Sequence, residues 1–371
     1  MSAAEKYTQQ KPIELEFDPG NISDLNPMGT DGFEFVEYAE PAGGAVLVDL
    51  MNKLGFTAVA KHKTKNVTLY RQGQVSFIIN SEPDSHAAEY AKEHGPSACA
   101  MAFRVVDAEH AFNRAVELGA TPYEQKTGPG ENKIPAILGI GGSLLYFVDK
   151  YGDSNIYEDD FDFITEDKNP VGNGLEIIDH LTHNVYKGNM DEWAGYYEKL
   201  FNFKEQRYFD IDGSKTGLIS RAMIAPCGLV RIPINEAKDQ KSQIQEYLDE
   251  YKGEGIQHIA LTSENIVESV SGLRSNGVPF MEVPDTYYDV IGERLPGHGL
   301  DLDPLKKENI LVDGVTEDGP VRLLLQIFTN VVIGPIFFEV IQRKGHNGFG
   351  EGNFSALFEA IERDQMRRGY L

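Results

Sequence analysis

The alternation of apolar and polar positions predicts four similar units along the chain. In the segments Phe103–Pro122 and Ile259–Pro279, a short strand pattern is followed by polar residues, a helix pattern, a glycine and a proline-marked turn. Apolar side chains recur at helical spacing in both segments, at Ala111, Phe112, Ala115 and Leu118 and at Ile266, Val267, Val270 and Leu273. Two further segments, which begin at Phe33 and Ile177, repeat the same order of strand and helix.

Strand-like alternation follows each helix pattern. The runs with this alternation are Val67–Tyr70, Val75–Asn80, Leu144–Val148, Leu229–Ile234, Leu323–Phe328 and Ile336–Ile341. The sequence therefore predicts an α+β fold of four βαβββ modules paired into two domains. Each pair of modules is expected to curl its sheet around a common cavity.

The helix after Ile177–Val185 has a well-marked start. Asn189 is a candidate N-cap and Glu192 lies three residues later, as in a capping box. One apolar face is predicted, made by Met190, Trp193, Ala194, Tyr197, Leu200 and Phe201.

Turn-forming residues divide the chain near its middle. Residues 169–174 read Asn-Pro-Val-Gly-Asn-Gly, which predicts a linker between an N-terminal domain (25–168) and a C-terminal domain (175–371). Residues 1–24 are polar and acidic and are expected to form a mobile leader. At the other end, Asn353 is a candidate cap for an amphipathic helix at about 354–369, whose last turn is basic.

Composition excludes several classes of function. The 371 residues carry a formal net charge of −24, which disfavours nucleic acid and anionic membranes as partners. No apolar run approaches the roughly 20 residues of a membrane span, and the first residues lack the pattern of a secretory signal. With only two cysteines, Cys99 and Cys227, a disulfide framework is not expected. A cytoplasmic protein is predicted.

Four side chains are candidate metal ligands. His180 and His183 lie on one predicted strand, where side chains alternate between faces, so at most one of them faces the cavity. His258 lies on the first strand of the last module. Glu339 lies on that module's last strand between large apolar residues, where a buried carboxylate needs either a metal or an arginine such as Arg322 or Arg343. Two histidines and one carboxylate suit non-haem iron(II).

The N-terminal repeat offers an internal comparison. Aligning the repeats places Tyr146 opposite Glu339 and a residue between Ala100 and Phe103 opposite His258. None of these has the ligand chemistry of the second domain. A single metal centre is therefore predicted, in the C-terminal domain.

Several motifs resemble those of the 4-hydroxyphenylpyruvate dioxygenase family in its bacterial form. The motifs are Asp179–Val185, Pro233–Asn235, Gly253–His258, Arg322–Phe328, Phe337–Glu339, Gln342–Gly345 and Gly348–Phe354. The resemblance extends from about Phe33 to the C-terminus, with order and spacing retained. It implies the vicinal oxygen chelate (glyoxalase-like) fold, which agrees with the four modules.

The resemblance also implies the chemistry. The ligands would be His180 rather than His183, together with His258 and Glu339, holding one iron(II) per chain. Three coordination positions would remain for the substrate's own 2-oxo acid and for dioxygen, so 2-oxoglutarate is not required. The implied reaction converts 4-hydroxyphenylpyruvate to homogentisate and CO2, in tyrosine and phenylalanine catabolism.

By the same resemblance, two sets of side chains would contact the substrate. An aromatic wall would comprise Phe328, Phe337, Phe349 and Phe354. Polar contacts would come from Ser220, Asn235, Gln243, Gln257, Gln326 and Asn353, with Gln243, Gln257 and Gln326 orienting the substrate. Taken alone, these phenylalanines are more typical of core packing, and the amides are more typical of surface or turn residues. The C-terminal helix would act as a lid, or simply dock on the core, and the chain would form a homotetramer. No nucleotide-binding motif is predicted.

Four other functions compete with this interpretation. An extradiol ring-cleaving dioxygenase would share the fold and the ligand set but should not show the tail Gly348–Phe354. A 4-hydroxymandelate synthase would use the same substrate and centre but hydroxylate the side chain. A non-catalytic binding protein could share the fold, although intact ligands argue against it. A zinc or nickel lyase of the glyoxalase kind would need a fourth protein ligand.

Overall fold

The computed structural model describes residues 15–41, 43–152, 155–212, 215–316, 321–354, 361–362 and 365–370. The strands of the N-terminal half are β1 (Thr30–Ala39), β2 (Thr57–His62), β3 (Val67–Gln72), β4 (Val75–Asn80), β5 (Ser97–Val105), β6 (Pro122–Tyr123), β7 (Ala136–Leu138), β8 (Leu144–Val148) and β9 (Phe161–Phe163). Its helices are α1 (Val46–Leu54), α2 (His86–His94), α3 (Ala108–Glu117) and α4 (Tyr157–Asp160), with a 3-10 turn at Ile140–Gly142.

The C-terminal half repeats this order of elements. Its strands are β10 (Leu175–Val185), β11 (Lys204–Asp212), β12 (Gly217–Ile224), β13 (Arg231–Ala237), β14 (Gly255–Ser263), β15 (Leu311–Val315), β16 (Arg322–Phe328) and β17 (Phe337–Lys344). Its helices are α5 (Met190–Phe201), α6 (Gln243–Tyr251), α7 (Ile266–Ser275), α8 (Thr286–Asp289), α9 (Ile291–Arg294) and α10 (Leu302–Lys307), with a 3-10 turn at Glu351–Asn353.

The four predicted βαβββ modules and the α+β class are confirmed. The modules begin with β1, β5, β10 and β14, and in each the first strand lies parallel beside the last. Two modules join through an antiparallel pair of first strands, β1 with β5 and β10 with β14, giving a nine-stranded and an eight-stranded mixed sheet. The first strands are central and largely buried on both faces, so polar side chains on them, such as Glu37 on β1 and His180 on β10, need partners inside the protein.

The predicted apolar face of α5 is confirmed, but the predicted cap is wrong. Met190, Ala194, Tyr197, Leu200 and Phe201 are buried, whereas the Asn189 side chain makes no cap hydrogen bond. Its Nδ2 instead donates to Oε1 of Glu254 at 2.7 Å, because that buried carboxylate collects donors, including Nε1 of Trp193 at 2.7 Å. The first helical amide, of Met190, donates to Glu236 instead.

The chain termini and the domain limits stay predictions. Of the proposed leader, residues 1–14 lie outside the described residues, and of the proposed lid helix, residues 355–360 and 363–364 do. The described helical residues 361–362 and 365–368 are anchored to the residues just before β12 and to α6. Oε1 of the buried Glu362 accepts from the amides of Lys215 and Thr216, and Gln365 donates to Glu246 at 2.8 Å. The first sheet ends at Phe163 and the second begins at Leu175, on either side of the proposed linker.

We expect Gly141→Ala to lower the free energy of unfolding. Gly141 has φ +57°, and an added Cβ would lie 1.9 Å from the carbonyl oxygen of Glu254, across the contact between the two halves. The clash and the left-handed backbone together should cost about 3 kcal/mol. Gly142→Ala is the matched control, because Gly142 has φ +79° but nothing within 4 Å of the added Cβ. Urea unfolding should show the larger loss for Gly141→Ala; equal losses would refute a tight contact here.

Candidate metal centre and substrate cavity

Three adjacent strands place the predicted ligands on one face of the C-terminal sheet. His180 is on β10, His258 on the neighbouring β14 and Glu339 on β17, which pairs with the other side of β14. Nε2 of His180 lies 3.3 Å from Nε2 of His258, and the two nitrogens lie 3.2 and 3.5 Å from Oε2 of Glu339. All three side chains are buried, and their ligand atoms lie within 4.8 Å of one another.

Both imidazoles are oriented by a partner behind them. Nδ1 of His180 donates to Oδ2 of Asp179 at 2.8 Å, and Nδ1 of His258 donates to Oε1 of Gln257 at 3.0 Å. A carboxylate or amide oxygen only accepts, so each ring keeps its proton on Nδ1 and turns the Nε2 lone pair toward the centre. Thr182, which sequence reasoning did not single out, brings its hydroxyl within 3.0 Å of Nε2 of His258.

The charges of the group fit a cation. Burial would raise the pKa of Glu339, but His180 and His258 hold it below its ordinary value. Burial lowers the pKa of His180, yet Glu339 and Asp179 raise it above its ordinary value, whereas the pKa of His258 stays lowered by burial. Oε1 of Glu339 is buried and accepts no hydrogen bond from any described residue. A buried oxygen without a donor is the position that a metal ion would satisfy.

Neither of the two arginines considered as partners for Glu339 pairs with it. Nε and Nη2 of Arg343 each lie 2.8 Å from an oxygen of Asp179, so this guanidinium pairs with the carboxylate behind His180. Arg322, at the far end of β16, is exposed. His183 points to the opposite face, where Nε2 contacts the Tyr197 hydroxyl at 2.8 Å and burial lowers its pKa to about 3.

A cavity lies above the three candidate ligands, with about 650 Å³ of empty space that includes its opening to solvent. The lining contains every residue that the resemblance implied except Asn353: His180, Ser220, Asn235, Gln243, Gln257, His258, Gln326, Phe328, Phe337, Glu339, Phe349 and Phe354. Asn353 is buried one layer behind, where Oδ1 accepts from the Tyr287 hydroxyl at 2.6 Å and Nδ2 lies 3.5 Å from Oε1 of Gln326.

Five further lining residues were not among the predicted site residues. They are Thr182, Phe209, Ile211, Leu218 and Pro233. Strand alternation could have found Thr182, Leu218 and Pro233, because each lies two positions from a predicted site residue on β10, β12 or β13. Phe209 and Ile211 lie on β11, which holds no predicted site residue, so alternation gave no signal for them. The ring of Phe337 stacks on His258 with centroids 4.7 Å apart, and Phe349 meets His180 edge-on at 5.6 Å. Aromatic side chains therefore contact both candidate histidine ligands.

The repeat explains why the candidate centre has three ligand-type side chains. A local twofold axis relates β10 to β14. His180 pairs with Ala260 and His258 pairs with Thr182, so the axis maps His180 onto His258. On β17, Glu339 lies beside Ala260. On β13, Ile234 pairs with His183, so the preceding residue, Pro233, lies beside Thr182. Pro233 therefore occupies the position equivalent to Glu339, and it has no ligand atom.

The same register identifies the equivalent positions in the N-terminal sheet. Phe35 pairs with Ala102, which lies beside Tyr146, and Ala100 pairs with Glu37, which lies beside Ile78. The positions equivalent to His180, Glu339, His258 and Pro233 are therefore Phe35, Tyr146, Ala100 and Ile78. All four belong to one buried apolar cluster. This supports the prediction of a single centre and assigns Ala100 as the counterpart of His258.

A second group of ligand-type side chains lies at one end of the sheet. Asp313, His346 and Glu351 have ligand atoms within 4.8 Å of one another. Three guanidinium groups lie close to them. Arg207 lies 3.5 Å from Glu351. Burial lowers the pKa of His346, and the positive charges of Arg322 and Arg343 contribute to this lowering. These cations already balance the carboxylates, so we interpret the group as an ionic network rather than a second metal centre.

Comparison with known proteins identifies the family. A family model described as hydroxyphenylpyruvate dioxygenase, N-terminal, matches residues 25–162, and one described as Glyoxalase/Bleomycin resistance protein/Dioxygenase superfamily matches residues 177–292. The chain is 55% identical to 4-hydroxyphenylpyruvate dioxygenase of Pseudomonas aeruginosa, with 94% of this chain and 98% of that protein covered. It is 57% identical to hemolysin VllY of Vibrio vulnificus, with 94% and 99% covered.

A solved structure has the same fold. A triple mutant of 4-hydroxymandelate synthase from Streptomyces coelicolor superposes with a TM-score of 0.77 at 26% identity, covering 90% of this chain and 98% of that one. The modules, the ligand geometry and the identity to whole-length relatives lead to one assignment: the chain belongs to the hydroxyphenylpyruvate dioxygenase family of the glyoxalase-like, vicinal oxygen chelate superfamily.

Proposed function

We propose that this protein is an iron(II)-dependent 4-hydroxyphenylpyruvate dioxygenase that forms homogentisate and CO2. The observation that carries the proposal is the buried His180–His258–Glu339 group at the base of a cavity with aromatic walls. Family membership supports the same activity, since relatives that are 52–55% identical carry this name.

His180, His258 and Glu339 would hold the iron, one ion per chain. When bound, iron(II) activates dioxygen and binds the 2-oxo acid of the substrate, so no 2-oxoglutarate is needed. Two histidines and one carboxylate are the ligand set of non-haem iron oxygenases and would keep coordination positions free for substrate and dioxygen. Pro233, at the position that the twofold repeat relates to Glu339, would supply no fourth ligand.

The protein's own residues would bind the ring and exclude water. Phe337, Phe349 and Phe354, with Phe328 behind Phe337, provide apolar surface for an aromatic substrate. Asn235 and Gln257 lie side by side at 3.4 Å next to the ligand His258, and Ser220 lies opposite Asn235 on β12. With Gln243 and Gln326, these groups would fix the polar ends of the substrate and hold its ring near the centre.

The remaining parts of the proposal concern the setting of the enzyme. No described helix is long and apolar enough to cross a membrane. A cytoplasmic location is supported by two buried cysteines that form no disulfide. The homotetramer and the lid helix stay predictions; light scattering after gel filtration measures the first.

The proposal is tested by the product. Purified protein is loaded with iron(II) without oxygen, 4-hydroxyphenylpyruvate and oxygen are added, and the aromatic product is identified by chromatography and mass. We expect homogentisate with one equivalent of CO2. Oxygen consumption without homogentisate, or bound iron without oxygen consumption, would refute the proposal.

A second candidate is 4-hydroxymandelate synthase, which the structural similarity to a solved enzyme of that name favours. It would use the same centre and cavity but yield 4-hydroxymandelate. The same experiment separates the two, since the products differ in where the new hydroxyl group stands.

A further inference from the structure

Arg343 connects two parts of the candidate site that are separate in sequence. It lies on β17, and its guanidinium forms a bidentate pair with Asp179 through Nε and Nη2, both at 2.8 Å. The remaining nitrogen, Nη1, donates to the carbonyl oxygens of His346 at 3.1 Å and Gly348 at 2.6 Å. The Arg343 side chain is 14% exposed and that of Asp179 is 2% exposed, so the network is shielded from water.

One end of this connection is a proposed metal ligand. Oδ2 of Asp179 accepts from Nδ1 of His180 at 2.8 Å, the contact that turns Nε2 of His180 toward the centre. The same oxygen receives Nη2 of Arg343. A second cation, Arg231, lies 3.7 Å from Asp179, so the carboxylate would not be left without any positive partner if Arg343 were altered.

The other end is the segment that carries part of the aromatic wall. The carbonyl groups held by Arg343 belong to residues 346 and 348, directly before Phe349, which lines the cavity and meets the His180 ring edge-on. This segment is further fixed where the amide of Gly352 donates to Oδ2 of Asp313 at 3.0 Å. A shift of residues 346–354 would therefore move Arg343 through its hydrogen bonds to the two carbonyl groups. A shift of His180 would move Arg343 through Asp179.

We infer that Arg343 is a positioning residue that couples metal binding at His180 to the placement of the wall segment 346–354. The inference rests on the proposed iron centre but not on the identity of the product. A planar guanidinium can hold a carboxylate bidentately and donate to two carbonyl groups at once, which a lysine ammonium cannot do with the same geometry. Iron bound at His180 should thus order residues 346–354, and without Arg343 the two events should become independent.

The test measures ordering directly by amide hydrogen exchange in residues 345–354, with and without iron(II), under anaerobic conditions. The variants are Arg343→Lys, Asp179→Asn, which keeps an acceptor for His180 but removes the ion pair, and Lys344→Met, an exposed neighbour on the same strand. In the wild type and in Lys344→Met, iron should slow exchange at least about 10-fold. In Arg343→Lys and Asp179→Asn the slowing should fall below about 2-fold, while iron still binds with an affinity weakened about 10–100-fold.

The outcomes separate this inference from the proposed function. Full iron-dependent protection in Arg343→Lys or Asp179→Asn would overturn the coupling, as would the absence of protection in the wild type. If Arg343→Lys does not fold, Asp179→Asn gives the decisive measurement. A wild-type protein that forms no homogentisate but shows the expected pattern of protection would keep the coupling and lose only the proposed product.

Discussion

Glu339→Ala is expected to abolish turnover and to remove the stabilisation of the protein by iron(II). Glu339 is the only anionic member of the proposed ligand set, and both histidine Nε2 atoms lie within 3.5 Å of its Oε2. Two neutral imidazoles alone hold iron(II) weakly, so kcat/KM should fall by more than about 10³-fold, which is ~4 kcal/mol of transition-state stabilisation. Product formation and oxygen uptake measure this loss.

Thermal unfolding gives a readout that does not depend on activity. Iron(II) at about 100 times its Kd should stabilise the wild type by about 2.7 kcal/mol, and Glu339→Ala should show no such gain at the same concentration. Glu339→Gln keeps the shape of the side chain without its charge and should behave like the alanine variant. Glu282→Ala, which removes an exposed carboxylate from the same half, is the matched control. A Glu339→Ala protein that retains iron and turnover would exclude Glu339 as a ligand.

The modules could be predicted from the sequence because their signals are local. Strand alternation, helical spacing and the glycine stops repeat at matching places, and the core requires that repetition, since four equivalent first strands are buried on both faces. The cap at Asn189 could not be predicted in the same way. Glu254, the acceptor that Asn189 uses, is 65 residues away, and no local pattern indicates that a carboxylate will be buried there.

In the candidate site, too, local sequence patterns could not predict the contacts that depend on long-range pairing. Alternation alone left His180 and His183 as equal candidates, and the family resemblance implied His180. The contacts of the folded chain also distinguish them: His183 packs against Tyr197, whereas His180 faces His258 and Glu339. Sequence reasoning also offered Arg343 as a partner for Glu339. The guanidinium pairs instead with Asp179, because the register of β17 places Arg343 four residues beyond Glu339, next to the Asp179 carboxylate on β10. Long-range register decides such pairings, and sequence periodicity does not contain it.

Pro233→Glu is expected to convert the open centre into one with four protein ligands. Pro233 lines the cavity and occupies the position that the local twofold axis relates to Glu339. A carboxylate there could reach the ion from the side that the 2-oxo acid and dioxygen would need. Affinity for iron(II) should rise at least about 10-fold, while kcat should fall by more than about 10²-fold because the substrate can no longer bind next to the metal.

The control for this change is Pro233→Gln, because a glutamine side chain has nearly the same shape as glutamate but no charge. It should leave the affinity for iron(II) close to that of the wild type, although the lost proline ring will alter packing on β13. If the glutamate and glutamine variants have the same affinity, position 233 does not face the ion and the twofold argument fails.

Combining Pro233→Glu with Glu339→Ala tests the symmetry itself. The double variant again has two histidines and one carboxylate, now on the opposite side of the β10–β14 pair. Binding of iron(II) should return, because the ligand set is restored. Turnover should not return, because the open side of the ion would then face the former position of Glu339 between β14 and β16, away from Asn235 and Ser220. A double variant that binds no iron would show that the two positions are not equivalent, whereas iron binding without turnover would assign catalysis to the side on which the centre is open.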